Sequence, residues 1–103
     1  MHIAGKKITK EFVNKYPEAD GAVNALMLEI KNATWENPHQ LKEQYRSASV
    51  IGKGCIVFNI YGNNYRLVVK IDFISQIAKI RWAGTHKEYD KLEIKETKCL
   101  SSK

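Results

Sequence analysis

The segment from Gly84 to Asp90 contains the side chains best suited to acid–base chemistry. Histidine ordinarily titrates near neutral pH, and Tyr89, three positions after His86, would share its face of a helix. Thr85 and Glu88 match the capping-box pattern that opens helices, and a helix N-terminus favours anions. The segment therefore predicts a phosphate-binding site with a proton-transfer group. The simpler interpretation is that Tyr89 packs on the core and His86 only begins a helix.

Cationic side chains are predicted to share one face of a sheet that precedes this segment. They are Arg66, Lys70, Lys79 and Arg81. The expected register places Lys70 opposite Lys79, Val68 opposite Arg81 and Asn59 opposite Arg66. Like charges directly opposite each other are destabilising, so this face is suited to binding phosphates. The alternative is a solvated sheet face on which the long side chains splay apart.

Two N-terminal helices are predicted to support this sheet. The first is indicated by apolar residues at helical spacing, namely Ile8, Phe12, Val13 and Tyr16. Thr9 is its expected N-cap, and Pro17 ends it. The second spans residues 19–33, where Val23, Leu26, Met27 and Ile30 repeat the pattern. Residues 35–54 are expected to form an ordered connection with about one helical turn.

The second half of the chain has the period of β-strands. Three strands are predicted, at residues 55–61, 65–73 and 76–83. Gly62 and Asn63 suit a two-residue hairpin turn between the first two strands. This register buries Phe58, Leu67 and Trp82 on one face, which the helices would cover. The predicted fold class is α+β: two N-terminal helices packed on a small antiparallel sheet, with a short C-terminal helix.

Size and charge limit the possible classes of protein. The 103 residues fit a single domain spanning 1–103, and the formal net charge of +6 favours a polyanionic partner. No apolar segment approaches the length of a membrane span, and the first residues lack the apolar region of a signal peptide. We therefore expect no membrane association and a cytoplasmic location.

Cysteine and histidine placement gives no sign of a metal or redox centre. Cys55 and Cys99 are too few for a disulfide framework and too far apart for a short zinc motif, so free thiols are expected. His2, His39 and His86 are scattered along the chain. The sequence therefore predicts no metal ligands and no cofactor.

Three segments together resemble the HigB branch of the RelE-type toxins. They are residues 57–68, including Tyr65-Arg66-Leu67, then Ile80-Arg81, and residues 84–91. The resemblance extends over nearly the whole chain and implies a RelE-like fold. It also implies the toxin of a type II toxin–antitoxin pair, an mRNA interferase that cleaves RNA in the ribosomal A site. The implied partner is a HigA-type antitoxin with a helix-turn-helix, in a hetero-oligomer with the toxin.

The resemblance and the residue chemistry together suggest roles at the site. Arg66 is the first choice for contacting the scissile phosphate, Arg81 the second, and His86 the best proton-transfer residue. Tyr89 could stack on a base or bind the phosphate, while Asn59 could orient Arg66. The remaining cations are expected to contact the RNA backbone: Lys70, Lys79, Lys87 and Lys91. The alternative function is a non-catalytic RNA-binding or protein-interaction module.

Overall fold

Five strands form one mixed sheet in the computed structural model, which describes residues 1–52 and 54–92. The strands are β1 (His2–Ala4), β2 (Ser49–Val50), β3 (Cys55–Ile60), β4 (Tyr65–Asp72) and β5 (Ile77–Thr85). Their order across the sheet is β1-β5-β4-β3-β2. β1 runs parallel to β5, and the other neighbours are antiparallel. The three predicted strands are confirmed as the centre of this sheet, which is extended on both edges by short strands.

Helices precede, interrupt and follow the strands. They are α1 (Lys6–Lys15), α2 (Asp20–Asn32), α3 (Pro38–Gln44) and α4 (His86–Asp90), with a short 3-10 turn at Pro17–Ala19. The two N-terminal helices and the short C-terminal helix agree with the sequence prediction. The connection after α2 is more ordered than predicted, because it contains both α3 and β2. The α+β class is confirmed.

Helix α1 begins at a glycine rather than at the predicted threonine cap. Gly5 has a φ of 86°, and a Cβ there would lie 2.7 Å from the carbonyl oxygen of Ile80. Only glycine allows both this conformation and this close approach to β5. Thr9 lies inside the helix, where its hydroxyl donates to the Lys6 carbonyl at 2.8 Å. The prediction of Thr9 as the N-cap is therefore wrong.

The main core lies between the helices and one face of the sheet. Phe58 pairs with Leu67 across β3 and β4, as the register predicted, and both are buried. Phe12 of α1 and Ile30 of α2 belong to the same cluster. The side of the sheet that faces these helices is called the inner face here, and the opposite side the outer face. Alternation along a strand fixes both faces, so this register also determines which polar side chains point outward.

The loop between β3 and β4 is longer than the predicted two-residue turn. It spans residues 61–64, and Tyr61, Gly62 and Asn63 all have positive φ angles, of 52°, 62° and 74°. The Asn64 amide donates to the Tyr61 carbonyl at 3.2 Å. The ladder nevertheless continues to the pair of Ile60 with Tyr65, so the strand register is unaffected.

Tyr65 anchors the start of β4 to the N-terminal half. Its hydroxyl donates to the carboxylate of Glu18, and this bond raises the pKa of Tyr65 to about 12 and lowers the pKa of Glu18. The Tyr65 ring also lies 5.3 Å from Phe12 and 5.1 Å from Tyr16, measured between ring centroids. The backbone beside Arg66 is thereby held against α1 and the 3-10 turn.

Phe58→Ala is expected to lower the free energy of unfolding by about 3 to 5 kcal/mol, because it leaves a cavity in the core. Phe58 is 1% exposed and contacts the ring of Tyr45 edge-on at 5.3 Å. Urea denaturation followed by tryptophan fluorescence measures the loss. Leu28→Ala is the control, since Leu28 is 60% exposed and should change stability by less than about 0.5 kcal/mol. Equal effects of the two substitutions would contradict the strand register.

Candidate functional site

The outer face of the sheet carries most of the predicted site. Arg66 lies opposite Asn59, and Lys70 lies opposite both Cys55 and Lys79. The pairs of Arg66 with Asn59 and of Lys70 with Lys79 are those that the sequence predicted. The alternating burial of β4 agrees, because Arg66 and Lys70 are half-buried whereas the inward-pointing Leu67 and Val69 are fully buried.

A β-bulge in β5 corrects the predicted positions of Trp82 and Arg81. The ladder pairs Val69 with Ile80 but Val68 with Trp82, so one extra residue of β5 is inserted between these pairs. An inserted residue reverses which face the following side chains meet. Trp82 therefore belongs to the outer face, and Ala83 takes the predicted place opposite Leu67. Arg81 is not opposite Val68, and lies instead at the bulge.

An apolar patch on the outer face separates the cations. Val57 and Val68 are buried there, and Trp82 and Tyr89 pack against them. Cys55 belongs to the same patch and is disulfide-bonded, so the expectation of a free thiol is wrong for this residue. Cys99 lies outside the described residues. The outer face is therefore a mixed surface, on which this apolar patch lies between the cationic side chains.

Arg66 is held by the backbone of the adjoining loop. Its Nη1 atom donates to the carbonyl of Asn63 at 2.9 Å and to that of Tyr65 at 3.2 Å. Both bonds use the same nitrogen, which leaves the other donors of the guanidinium available to an anion. The amide nitrogen of Asn59, which lies opposite Arg66, donates to the Ser47 carbonyl at 3.1 Å. The loop carbonyls thus contribute to the orientation of Arg66.

Helix α4 begins with the predicted capping box. The Thr85 amide donates to Glu88 Oε1 at 2.9 Å, and the Glu88 amide donates to Thr85 Oγ1 at 3.0 Å. The backbone amide of His86 donates to the Asn64 carbonyl at 3.0 Å. This bond ties the start of α4 to the loop whose Asn63 carbonyl binds Arg66. The helix start and the arginine are thus fixed to neighbouring residues of one loop.

His86 has a carboxylate partner that the sequence reasoning missed. Its Nδ1 atom lies 3.2 Å from Oδ2 of Asp90, and both side chains are about half exposed. The i,i+4 spacing of His86 and Asp90 on a helix was a signal that could have identified the pair. A carboxylate on Nδ1 fixes the orientation of the ring and leaves Nε2 as the outward nitrogen. The pair is therefore arranged for proton transfer or for binding a phosphate.

Tyr89 lies against Trp82 on the outer face and close to Arg66. The ring centroids of Tyr89 and Trp82 are 6.0 Å apart. Burial raises the pKa of Tyr89, while the positive charge of Arg66 acts in the opposite direction. A phenol with a raised pKa stays protonated at neutral pH, so Tyr89 can donate a hydrogen bond but is unsuited to be a base.

Gly84 makes room for this packing. It lies opposite Arg66 on β5 and is buried. A Cβ at this position would lie 2.6 Å and 2.8 Å from two ring atoms of Trp82, and 2.7 Å from Glu88 Oε1. The indole therefore lies over the Gly84 backbone and supports α4. Because α4 carries Tyr89 and His86, the bulge at Arg81 and the small residue at Gly84 together position the predicted catalytic side chains.

The predicted cations divide into groups. The distal cluster, as we call it, consists of Lys70, Lys79 and Arg81, which line one open groove of about 610 Å³. Lys87 and Lys91 are exposed on α4 and at its C-terminal cap. Arg66 lies with Tyr89 and the start of α4, at the other end of the outer face. Arg81 also lines a second pocket together with Trp82 and Glu88, so it lies between the lysines and α4.

Other types of site have little support in the part of the chain that the structure describes. No group of three or more His, Cys, Asp or Glu side chains within residues 1–52 and 54–92 is placed to hold a metal ion. Among the helices of those same residues, none has the length and apolar character needed to cross a membrane. The groups available for chemistry beside the start of α4 are the Arg66 guanidinium, the pair of His86 with Asp90, and the phenol of Tyr89.

Comparison with known proteins shows which family this chain resembles. Residues 19–92 match the family model HigB_toxin, described as the RelE-like toxic component of a toxin–antitoxin system. The mRNA interferase toxin HigB of Escherichia coli (strain K12) is 36% identical over 93 residues, which cover 87% of this chain and 88% of that protein. The mRNA interferase HigB of Shigella flexneri is similar to the same extent. A further mRNA interferase HigB, from Escherichia coli O6:H1, is 28% identical over 94 residues.

Proposed function

The chain belongs to the HigB family of RelE-like toxins and is an mRNA-cleaving endoribonuclease, and from this premise we propose that Arg66, His86 and Tyr89 form its active site. The observation that carries the proposal is that one loop binds both the Arg66 guanidinium and the start of α4. Asp90 is added to the site because it contacts the His86 ring.

The proposed reaction is attack of the ribose 2′-hydroxyl on the adjacent phosphorus. The oxygen–phosphorus bond forms as the 5′-oxygen leaves, which gives a 2′,3′-cyclic phosphate and a 5′-hydroxyl. The 2′-hydroxyl loses a proton and the leaving oxygen gains one. Negative charge increases on the non-bridging oxygens between these events. The protein must therefore neutralise charge and assist in proton transfer.

Arg66 is proposed to neutralise this charge. The guanidinium presents parallel donors that can bind two phosphate oxygens at once. Its Nη1 bonds to the Asn63 and Tyr65 carbonyls orient it before RNA arrives. A donor that needs no reorganisation stabilises the transition state more than a mobile one does.

The His86–Asp90 pair is proposed to move a proton at Nε2. Asp90 would hold the ring through Nδ1 while Nε2 accepts a proton from the 2′-hydroxyl, and His86 could equally deliver one to the leaving oxygen. Tyr89 is proposed to donate a hydrogen bond to the phosphate or to place its ring under a base. Its raised pKa supports the donor role over a role as base.

The biological setting is proposed from the family resemblance. It comprises cleavage of mRNA in the ribosomal A site, a cytoplasmic location and inhibition by a HigA-type helix-turn-helix antitoxin. The net charge of +6 supports binding to ribosome-associated RNA, because phosphate contacts dominate the affinity of such complexes. The two components of such a pair would form a hetero-oligomer.

Expression of this chain alone is expected to arrest bacterial growth, and co-expression of the adjacent helix-turn-helix protein should restore it. Sequencing RNA 5′ ends after induction should reveal new ends within translated messages. A catalytically impaired Arg66→Ala chain at matched expression is the control. Unchanged transcripts at high levels of folded protein would contradict nuclease function. Steep salt-dependent RNA binding without cleavage would instead identify a non-catalytic RNA-binding module.

A further inference from the structure

The distal cluster is a concentration of positive charge that the cleavage step does not use. Lys70 and Lys79 are directly opposite each other on β4 and β5, and Arg81 lines the same groove. Cross-strand pairs of like charge destabilise a sheet unless an anion lies between them. The groove is therefore built at a cost in stability that anion binding would offset.

The acidic residue that lines this groove does not neutralise the cluster by itself. Asp72 is the acidic side chain among the described residues around the groove. Its Oδ1 atom accepts hydrogen bonds from the backbone amides of Ile74 and Ser75 at 3.0 and 3.2 Å. Lys70 and Lys79 alone outnumber this carboxylate, so the groove retains affinity for an anion.

Apolar side chains complete the groove. Phe73 and Ile77 line it together with Ile74, which is 98% exposed at the β4–β5 turn. A solvent-exposed apolar side chain beside cations can contact the flat bases of a ligand while the cations bind its phosphates. Single-stranded nucleic acid has this combination, because its bases contact apolar surfaces while its backbone follows positive charge.

The distance between Arg66 and Lys70 relates the groove to the proposed active site. Both side chains lie on the outer face of β4, four residues apart. At a rise of about 3.3 Å per residue, their Cα atoms are separated by about 13 Å. A stacked strand that rises about 3.4 Å per nucleotide covers this distance in about four nucleotides, and an extended strand covers it in fewer.

We propose that the distal cluster binds a second phosphodiester of the RNA strand that is cleaved, about two to four nucleotides from the scissile bond. The inference rests on the proposed active site at Arg66. A continuous strand is favoured over an acidic peptide because the cluster and Arg66 share one sheet face along a straight β-strand. The groove thereby sets a minimum RNA length on one side of the cleavage point and is tolerant of sequence.

The test uses RNAs that carry a 2′-deoxy nucleotide at the cleavage position and are lengthened stepwise on either side. For the parent protein, fluorescence anisotropy should show a step in affinity of about tenfold when the strand reaches the groove. The double variant Lys70→Ala/Lys79→Ala should lose the step and bind only as tightly as the parent binds short RNA. Its salt slope on long RNA should be smaller by about 1.4, which corresponds to two lost contacts with single-stranded phosphates.

Lys10→Ala/Lys31→Ala is the matched control, since it removes the same charge from exposed positions on α1 and α2. This control variant should keep the parent's step in RNA affinity with increasing strand length. The Lys70/Lys79 variant should unfold no more easily than the parent, because a repulsive pair has been removed. A parent without any step, or a variant that loses affinity equally at every length, would overturn the inference.

Programmed ribosomes carrying messages truncated at each length distinguish the source of the phosphate. Dependence of the Lys70/Lys79 effect on message length supports contact with the cleaved strand. An effect that is independent of message length indicates ribosomal RNA, and lost antitoxin binding with unchanged RNA affinity indicates an acidic protein segment; either overturns the inference. If the parent cleaves no message at all, the proposed nuclease function fails separately from this site.

Discussion

Arg66→Ala is expected to slow single-turnover cleavage on programmed ribosomes by about 10²- to 10³-fold. The guanidinium makes charge-assisted bonds that strengthen as negative charge develops on the phosphate oxygens. The guanidinium lies between the β3–β4 loop, whose Asn63 carbonyl it contacts, and Tyr89, where burial raises the pKa and the positive charge of Arg66 acts in the opposite direction. The distal cluster should still hold the RNA, so the rate should fall more than the affinity does.

Arg66→Lys separates charge from geometry. Lysine keeps the positive charge but cannot bind two oxygens with parallel donors, so its rate should lie between those of the parent and the alanine variant. Urea denaturation must accompany the kinetics, because Arg66 also bonds to the Asn63 and Tyr65 carbonyls. If a folded Arg66→Ala protein cleaves within about threefold of the parent rate, the active site does not lie at this end of the outer face. Arg81 would then be tested as the residue that contacts the scissile phosphate.

The central hairpin could be predicted because two independent signals agreed there. Alternating apolar residues in β3 and β4 fixed which side chains point inward, and the Gly62-Asn63 pair fixed where the chain reverses. The actual loop has four residues and is closed by Ile60 with Tyr65, a pair that the two-residue turn would also have formed, one step beyond Tyr61 with Asn64. The register therefore survived an error in the turn, and with it the outward position of Arg66.

The bulge could not be predicted, because alternation looks the same on either side of an inserted residue. Ile80 and Trp82 are both apolar and two positions apart, which is the pattern of a regular strand. Only the pairing with β4 shows that Trp82 has changed faces. The consequence is functional, since the residue predicted for the core instead supports Tyr89.

The edges of the sheet and the histidine's partner were missed for different reasons. β1 and β2 have three and two residues, too few to show a period, and the parallel pairing of β1 with β5 depends on Gly5 allowing α1 to turn back. The His86–Asp90 pair, in contrast, follows from ordinary i,i+4 spacing once α4 is predicted. The signal for this pair is therefore present in the sequence.

His86→Ala is expected to lower single-turnover cleavage by about 10²- to 10⁴-fold, the usual contribution of a positioned acid or base. The backbone amide of His86 bonds to the Asn64 carbonyl, and alanine retains that amide, so the start of α4 should be preserved. Measurements from about pH 5.5 to 8.5 bracket the ordinary histidine titration. The parent rate should change across this range, and the variant should lose that change.

Two further variants assign the effect to proton transfer. Asp90→Asn keeps the shape of the partner but removes the carboxylate that contacts Nδ1 of His86, so the cleavage rate should fall while the protein stays folded. Leu28→Ala, at an exposed position on α2, is the control and should leave both the rate and its pH profile unaltered. If His86→Ala cleaves within about threefold of the parent at every pH, the side chain transfers no proton. The role of His86 would then be confined to the backbone bond that joins α4 to the Arg66 loop.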